Sequence, residues 1–204
     1  MSLQLFTVAD FIKIAITAPV PRDCESERIT RLLELGWDRV HLRYPSLTLT
    51  QVRKIVELVP QKWHGRLRLH GHFELINEFN IGGLHLNSRC PAVPSGFRGA
   101  ISKSCHTVDE VRQASAGGRF DSVTLSPVFP SVSKPGYNPV LTKEDMRVAA
   151  SMMPVIALGG VTPRRIALLK QLGFAGCAVL GAVSEAGTLD ELAAVTEDFN
   201  QNII

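Results

Sequence analysis

The side chains in this sequence best suited to chemistry are imidazoles, hydroxyls and a few cations, joined by glycines that follow apolar runs. In Ser102-Lys103-Ser104-Cys105-His106-Thr107, His106 stands immediately before a threonine suited to cap a helix. Imidazole titrates near neutrality, so His106 reads either as a general acid/base or as a hydrogen-bonded structural residue. Cys105 beside it has no neighbour that would lower a thiol pKa and reads as packing. His41-Leu42-Arg43 puts His41 and Arg43 on one side of an extended segment, where Arg43 would meet an anion. The segment Ser126-Pro127-Val128-Phe129-Pro130-Ser131-Val132-Ser133-Lys134-Pro135-Gly136 sets Ser131 and Ser133 beside Lys134, a donor set for an anionic substrate. Gly159-Gly160 and Gly181-Ala182 each close a short apolar run, and glycines there expose backbone amides of the kind that hold a phosphate.

Eight short apolar runs position these residues: Ile12–Thr17, Arg39–Arg43, Leu67–His70, Gly83–Leu86, Ala100–Lys103, Ser122–Leu125, Pro154–Leu158 and Ala175–Leu180. Helix-start chemistry falls between them. Thr48 with Gln51, Thr107 with Glu110 and Thr188 with Glu191 are capping boxes, and Thr162-Pro163 sets an N-cap residue before a proline at the first helical position. Val52, Ile55, Val56 and Val59 make one helical stripe, and Met146, Ala149, Ala150 and Met153 another. Gly36 and Gly173 stand where helices should stop. Eight strands alternating with helices predict a (β/α)8 TIM barrel, an α/β fold. The rival is an open doubly wound sheet, but no G-x-G-x-x-G follows any of the strands. A single domain over residues 1–204 is expected, with 1–11 as an N-terminal extension.

In such a barrel, chemistry gathers at the C-terminal ends of the strands. The glycines after the seventh and eighth strands then predict a phosphate site at Gly159, Gly160, Gly181 and Ala182. Four histidines, His41, His70, His72 and His85, come near the same mouth and raise the question of a metal. Zinc sites usually add cysteine or carboxylate ligands at defined spacing; none is evident, so no metal is expected.

The whole composition narrows the function classes. Of 204 residues, 45% are hydrophobic and 20% charged, enough to bury a core and too apolar for a disordered chain. The net charge of +3 is spread along the chain and no aromatics interleave the basic residues, which argues against nucleic acid. The longest apolar stretch, Phe11 to Val20, is broken by Lys13 and falls short of the roughly 20 residues that span a bilayer. It also lacks a signal peptide's basic leader, so a cytoplasmic protein is expected. Four cysteines without metal or CxxC spacing read as reduced thiols. The expected partner is a small phosphorylated molecule, with no nucleic acid and no membrane; a homo-oligomer is compatible with the sequence.

Taken in order, these strand ends resemble the thiamin-phosphate synthase and thiazole tautomerase family. The family's Q-L-R is matched by His41-Leu42-Arg43, its G-V-H-L by Gly83-Leu84-His85-Leu86, and its G-x-S-x-H by Ser102 through His106. Its G-P-x-F-x-T-x-[TS]-K is matched by Ser126 through Lys134, and its A-I-G-G-I-T by Ala157 through Thr162. The resemblance implies a thiazole phosphate held by the glycines, in a pathway that makes thiamin. In the synthases it also implies Mg²⁺, held by aspartates after the third and fourth strands, to neutralise a departing pyrophosphate. This sequence departs there: His70-Gly71 replaces the third-strand acid pair, Asn87-Ser88-Arg89-Cys90 follows the fourth strand, and Pro45 replaces a lysine. The tautomerase branch needs one base and no metal, and the resemblance implies His106 as that base. Arg43, Ser104, Ser131, Ser133 and Lys134 would hold the substrate's anionic groups, with His41 and His70 as further contacts. The expectation is a metal-independent thiazole phosphate tautomerase without cofactor. The alternatives are a synthase, which would require Mg²⁺, and a silent thiazole or thiamin phosphate-binding protein.

Overall fold

The computed structural model describes residues 11–130 and 141–203. Ser131, Ser133 and Lys134 therefore lie outside the described residues, as does nearly all of the expected N-terminal extension. Eight parallel strands close into a barrel in chain order: β1 (Ile12–Ile16), β2 (Arg39–Leu42), β3 (Leu67–Leu69), β4 (Gly83–Leu86), β5 (Ala100–Cys105), β6 (Ser122–Leu125), β7 (Val155–Leu158) and β8 (Gly176–Val179). All eight expected strands are present, shifted by at most two residues at their ends. β8 pairs back onto β1 through Ile12↔Gly176 and Ile14↔Ala178, so no sheet edge is left open.

Helices α1 (Glu25–Glu34), α2 (Leu49–Leu58), α3 (Val108–Ala116), α4 (Lys143–Met152), α5 (Ile166–Gln171), α6 (Gly181–Glu185) and α7 (Leu189–Gln201) surround the barrel. The boxes at Thr48 and Thr188 form in full. Thr107 caps α3, but the Glu110 carboxylate accepts from the His106 amide instead of the cap's own, so that box is displaced by one residue. Thr162 makes no side-chain cap bond; Pro163 starts a 3₁₀ turn that leads into α5. A further capping box, Thr142 with Asp145, opens α4. The strand–helix alternation fails in two places. After β3 there is only a 3₁₀ turn, Phe73–Asn77, and residues 87–99 between β4 and β5 carry no helix. Pro91 and Pro94 remove amide donors from that connection, and Gly96 and Gly99 add the backbone freedom that disfavours a helix.

Strand alternation divides the core in two. Outward residues such as Val40, Leu69, Leu84, Val123 and Ala157 pack against the helices. Trp37, fully buried between β2 and α7, donates its Nε1–H to Thr196 Oγ1 at 2.9 Å and meets the Phe199 ring at 5.5 Å. Inside the barrel, Ile14, Ile16, Ile156 and Ala178 form a separate cluster from β1, β7 and β8. The other side of the interior is polar: His41, Arg68, His85, Ser102, Ser122 and Thr124 are all buried there. Gly83 makes room for Arg68, because a Cβ at that position would come within 2.6 Å of its Nε. This half-polar interior points toward the mouth formed by the strand C-termini.

Candidate functional site

A cavity of about 860 Å³ opens at the C-terminal ends of the strands. His70, His85, Ser104 and His106 reach its wall from consecutive strand ends, and Arg43 faces them from β2. The volume is that of a small-molecule site.

His106 is exposed and follows β5 directly. Its Nδ1 lies 2.8 Å from the carbonyl oxygen of Ser126. A carbonyl can only accept, so Nδ1 carries a proton and, in the neutral ring, Nε2 keeps its lone pair. The ring is thus oriented by the loop after β6, and the displaced capping bond from Glu110 fixes its backbone amide.

Deeper in, three imidazoles from neighbouring strands meet. His41 Nδ1 and His70 Nε2 are 2.9 Å apart, and the His70 and His85 rings stack with centroids 4.2 Å apart. His85 Nδ1 lies 2.8 Å from Ser102 Oγ, whose own hydrogen is directed at the Leu84 carbonyl at 3.3 Å. Nδ1 of His85 is therefore the donor, and Nε2 accepts from Ser104 Oγ at 2.9 Å. Burial holds all three rings neutral, His85 down to about 4 and His41 and His70 well below the ordinary histidine range. For His41 and His70 the neighbouring rings and arginines add to that effect. His72, the fourth histidine, lines the cavity but stands outside the trio, on a left-handed backbone at φ 53°.

Arg43 is pushed below the ordinary arginine range by burial first and by the Arg89 charge second. Both guanidinium groups line the cavity, and among the described residues neither has a carboxylate partner, so an anion between them would offset their repulsion. Sequence reasoning named Arg43 but missed Arg89, which sits in the helix-free connection after β4 where no periodicity marks a direction. It also left His85 out of the binding set, although alternation on β4 turns it inward together with Asn87. Asn87 is committed: its amide donates to the His70 carbonyl at 2.8 Å, and its oxygen accepts from the Arg89 and Cys90 amides at 3.0 and 3.3 Å.

The glycine turn after β7 has φ 92° at Gly159 and 63° at Gly160, which side chains rarely adopt. A Cβ at Gly160 would also come within 2.4 Å of the Pro130 carbonyl oxygen. The carbonyls of Leu158, Gly159 and Gly160 accept from Val128, Phe129 and the Arg165 guanidinium respectively. With its acceptors engaged, the turn is left to present donors, the condition for holding an anion. Gly181 and Ala182 begin α6 just beyond Leu180, and Leu158 and Leu180 both reach the cavity wall. Arg43, His70, Ser104 and His106 thus line one cavity, with His41 against His70, whereas Gly159, Gly160, Gly181 and Ala182 follow the lining residues Leu158 and Leu180 in the chain and do not line it themselves.

Comparison with known proteins agrees with this architecture. Residues 14–183 match the family model described as thiamine monophosphate synthase. A thiamine-phosphate synthase of Levilactobacillus brevis is 33% identical over 104 residues, a match that spans 48% of that relative's length and 50% of this chain. One from Listeria monocytogenes is 25% identical over 153 residues, covering 69% of this chain and 72% of that protein. Among solved structures, a thiamine phosphate pyrophosphorylase from Bacteroides thetaiotaomicron superposes with a TM-score of 0.83 at 31% identity, covering 94% of this chain and 97% of that one. A Pyrococcus furiosus protein of the same description shares the fold, with a TM-score of 0.77 at 18% identity over 96% of each chain. With most of its length matched and the barrel closed in the same order, the chain belongs to the thiamine monophosphate synthase family.

Proposed function

We propose that this protein is a thiazole phosphate tautomerase of thiamin biosynthesis. It would move a proton from the ring carbon bearing the carboxylate to the exocyclic side-chain carbon, using His106. The observation that carries this reading is the His106 orientation: Nδ1 is held by the Ser126 carbonyl, so in the neutral ring Nε2 is the basic nitrogen, on a side chain that lines the cavity. A base that takes a proton at one carbon and returns it at the next must keep its ring oriented through both transfers, and such a group is worth about 10²- to 10⁴-fold in rate. The substrate's phosphate would sit at Gly159, Gly160, Gly181 and Ala182. Its carboxylate would be met by Arg43, with Arg89 beside it and with His41, His70 and Ser104 below. Ser131, Ser133 and Lys134, which follow β6 in the chain, would complete the anion contacts. No step in this proton shift needs a metal.

The relatives named thiamine-phosphate synthase favour a second reading, in which an aminopyrimidine diphosphate loses pyrophosphate as the thiazole nitrogen attacks. That reaction requires a hard divalent cation on oxygen ligands. The residues here do not fit one. Glu74 is the single carboxylate among the described residues lining the cavity, Gly71 has no side chain and Asn87 is committed to its loop.

The test is turnover of thiazole carboxylate phosphate followed by NMR, run beside a pyrophosphate-release assay with the aminopyrimidine diphosphate. Isomerisation without added magnesium supports the tautomerase. Magnesium-dependent pyrophosphate release would establish the synthase instead. Binding with neither reaction would leave a silent phosphate-binding protein.

A further inference from the structure

We infer that His41, His70 and His85 form a binding site for a divalent transition-metal ion of the zinc class, with its open coordination position facing the cavity. One ligand nitrogen from each ring lies within 4.8 Å of the other two. The trio comes from β2, the end of β3 and β4, three adjacent strands of a closed sheet, so the ligands stand on the most rigid part of the fold. A zinc site need not include the cysteine or carboxylate that the sequence lacks at ligand spacing. Three imidazoles with a vacant fourth position are themselves a complete catalytic-type zinc set, with Zn–N distances of about 2.0–2.1 Å. Closing onto such an ion requires the rings to converge by about an ångström, within the reach of small side-chain rotations.

Three further features suit an ion rather than a hydrogen-bonded histidine cluster alone. The Nδ1–H of His85 is anchored on Ser102, and Ser102 on the Leu84 carbonyl, the outer hydrogen bonding that fixes the tautomer of a ligating histidine. His85 Nε2 keeps its lone pair on the cavity side, where Ser104 Oγ now donates to it and would turn away to admit an ion. On β6, in register with Ser104, the buried hydroxyl of Thr124 has no hydrogen-bond partner among the described residues, an unmet polar atom in the same polar half of the barrel. The donor set also selects the ion. Nitrogen ligands suit zinc, cobalt, nickel or copper, and not magnesium. On binding, the hydrogen shared between His41 Nδ1 and His70 Nε2 moves to the far nitrogen of the ring that carries it; both rings stay neutral and no proton is released. The ion's open position would take water or a heteroatom of a bound ligand. The site shares His41 and His70 with the carboxylate contacts proposed above, whereas the proton shift remains with His106.

The experiment uses the full chain, stripped with a chelator and dialysed. Titration with Zn²⁺ against a chromophoric chelator is expected to give one equivalent bound, in the micromolar range or tighter. Co²⁺ should produce the intense visible bands of a four-coordinate ion. His85→Gln and His70→Gln should each weaken Zn²⁺ binding by about 100-fold or more, whereas His72→Gln should leave it unchanged. The wild-type melting temperature should rise with Zn²⁺ and not with Mg²⁺. A wild-type protein that shows no saturable Zn²⁺ binding, or that leaves Co²⁺ with its six-coordinate aqueous spectrum, overturns the inference whether or not the variants fold. Zn²⁺ affinity unchanged in a folded His85→Gln protein does the same.

Discussion

As the proposed base, His106 would owe its usefulness to a neighbour that does no chemistry. The Ser126 carbonyl decides which nitrogen is protonated, and the cavity receives the other. His106→Asn keeps a polar group of similar size but cannot shuttle a proton near neutral pH. The expected outcome is a loss of about 10²- to 10⁴-fold in tautomerisation rate with phosphate affinity retained, read by NMR and a parallel binding titration. Equal rates would remove His106 from the mechanism. The cysteines respond to their surroundings in the same residue-by-residue way. Burial pushes the thiol of Cys105 up to about 11 and that of Cys177 up to about 12, while Cys24 is exposed and Cys90 half-buried. Native protein at pH 8 should therefore yield only Cys24 and Cys90 to a thiol reagent, with Cys105 and Cys177 appearing after denaturation. Because both raised thiols hold their protons longer folded than unfolded, their contribution to stability is fully present below pH 9 and is lost as pH rises through 11 to 12. Mass spectrometry showing modification of Cys105 in the native state would contradict the packing described.

At the scale of elements, the tautomerase reading turns on two connections. The Cβ position of Gly71, after β3, lies 3.6 Å from Cys90 Sγ, in the loop after β4. Gly71→Asp combined with Cys90→Asp would therefore set two carboxylates side by side at the barrel mouth. This double variant should bind magnesium more tightly than the native chain, measurable by calorimetry on both, since paired carboxylates suit an oxygen-liking cation. The turn after β7 is unforgiving for the opposite reason. Gly160→Ala must place a methyl against the Pro130 carbonyl and at a positive φ, so a loss of about 1–3 kcal/mol in stability and a weaker phosphate site are expected. Denaturant melts and phosphate titration check both; an alanine variant with unchanged affinity would show that this turn does not hold the anion.

Across the whole molecule, the barrel itself was legible because it is written in short-range chemistry. Apolar runs of strand length, threonine caps at 48 and 188 and glycine stops at 36 and 173 are all local, and all appear where expected. The helix-free stretch between β4 and β5 was not foreseen, although its prolines were visible, because the repeat was extended across it. Alternation also placed His41 and Arg43 on one side correctly. What the sequence could not reveal is distance across the barrel. The pairing of His41 with His70, the anchoring of His85 on Ser102 and the approach of Arg89 to Arg43 depend on which strands become neighbours and at what register. Ligand-spacing rules search along the chain, whereas these ligands are gathered around a ring.

The half-polar interior has a consequence for how this protein could be improved or damaged. A barrel filled by interlocking aliphatic layers draws cohesion from its centre; this one keeps Ile14, Ile16, Ile156 and Ala178 on one side only and leaves imidazoles, hydroxyls and Arg68 on the other. Its cohesion must come chiefly from the outer layer, where the helices clasp the sheet around residues such as Trp37 and Phe199. Trp37→Ala should accordingly be among the most damaging single changes, at about 3–5 kcal/mol. Exchanging the inner polar residues together for well-packed aliphatic ones should instead yield a hardier protein with an empty repertoire, a trade of capability for durability made within a single ring of side chains.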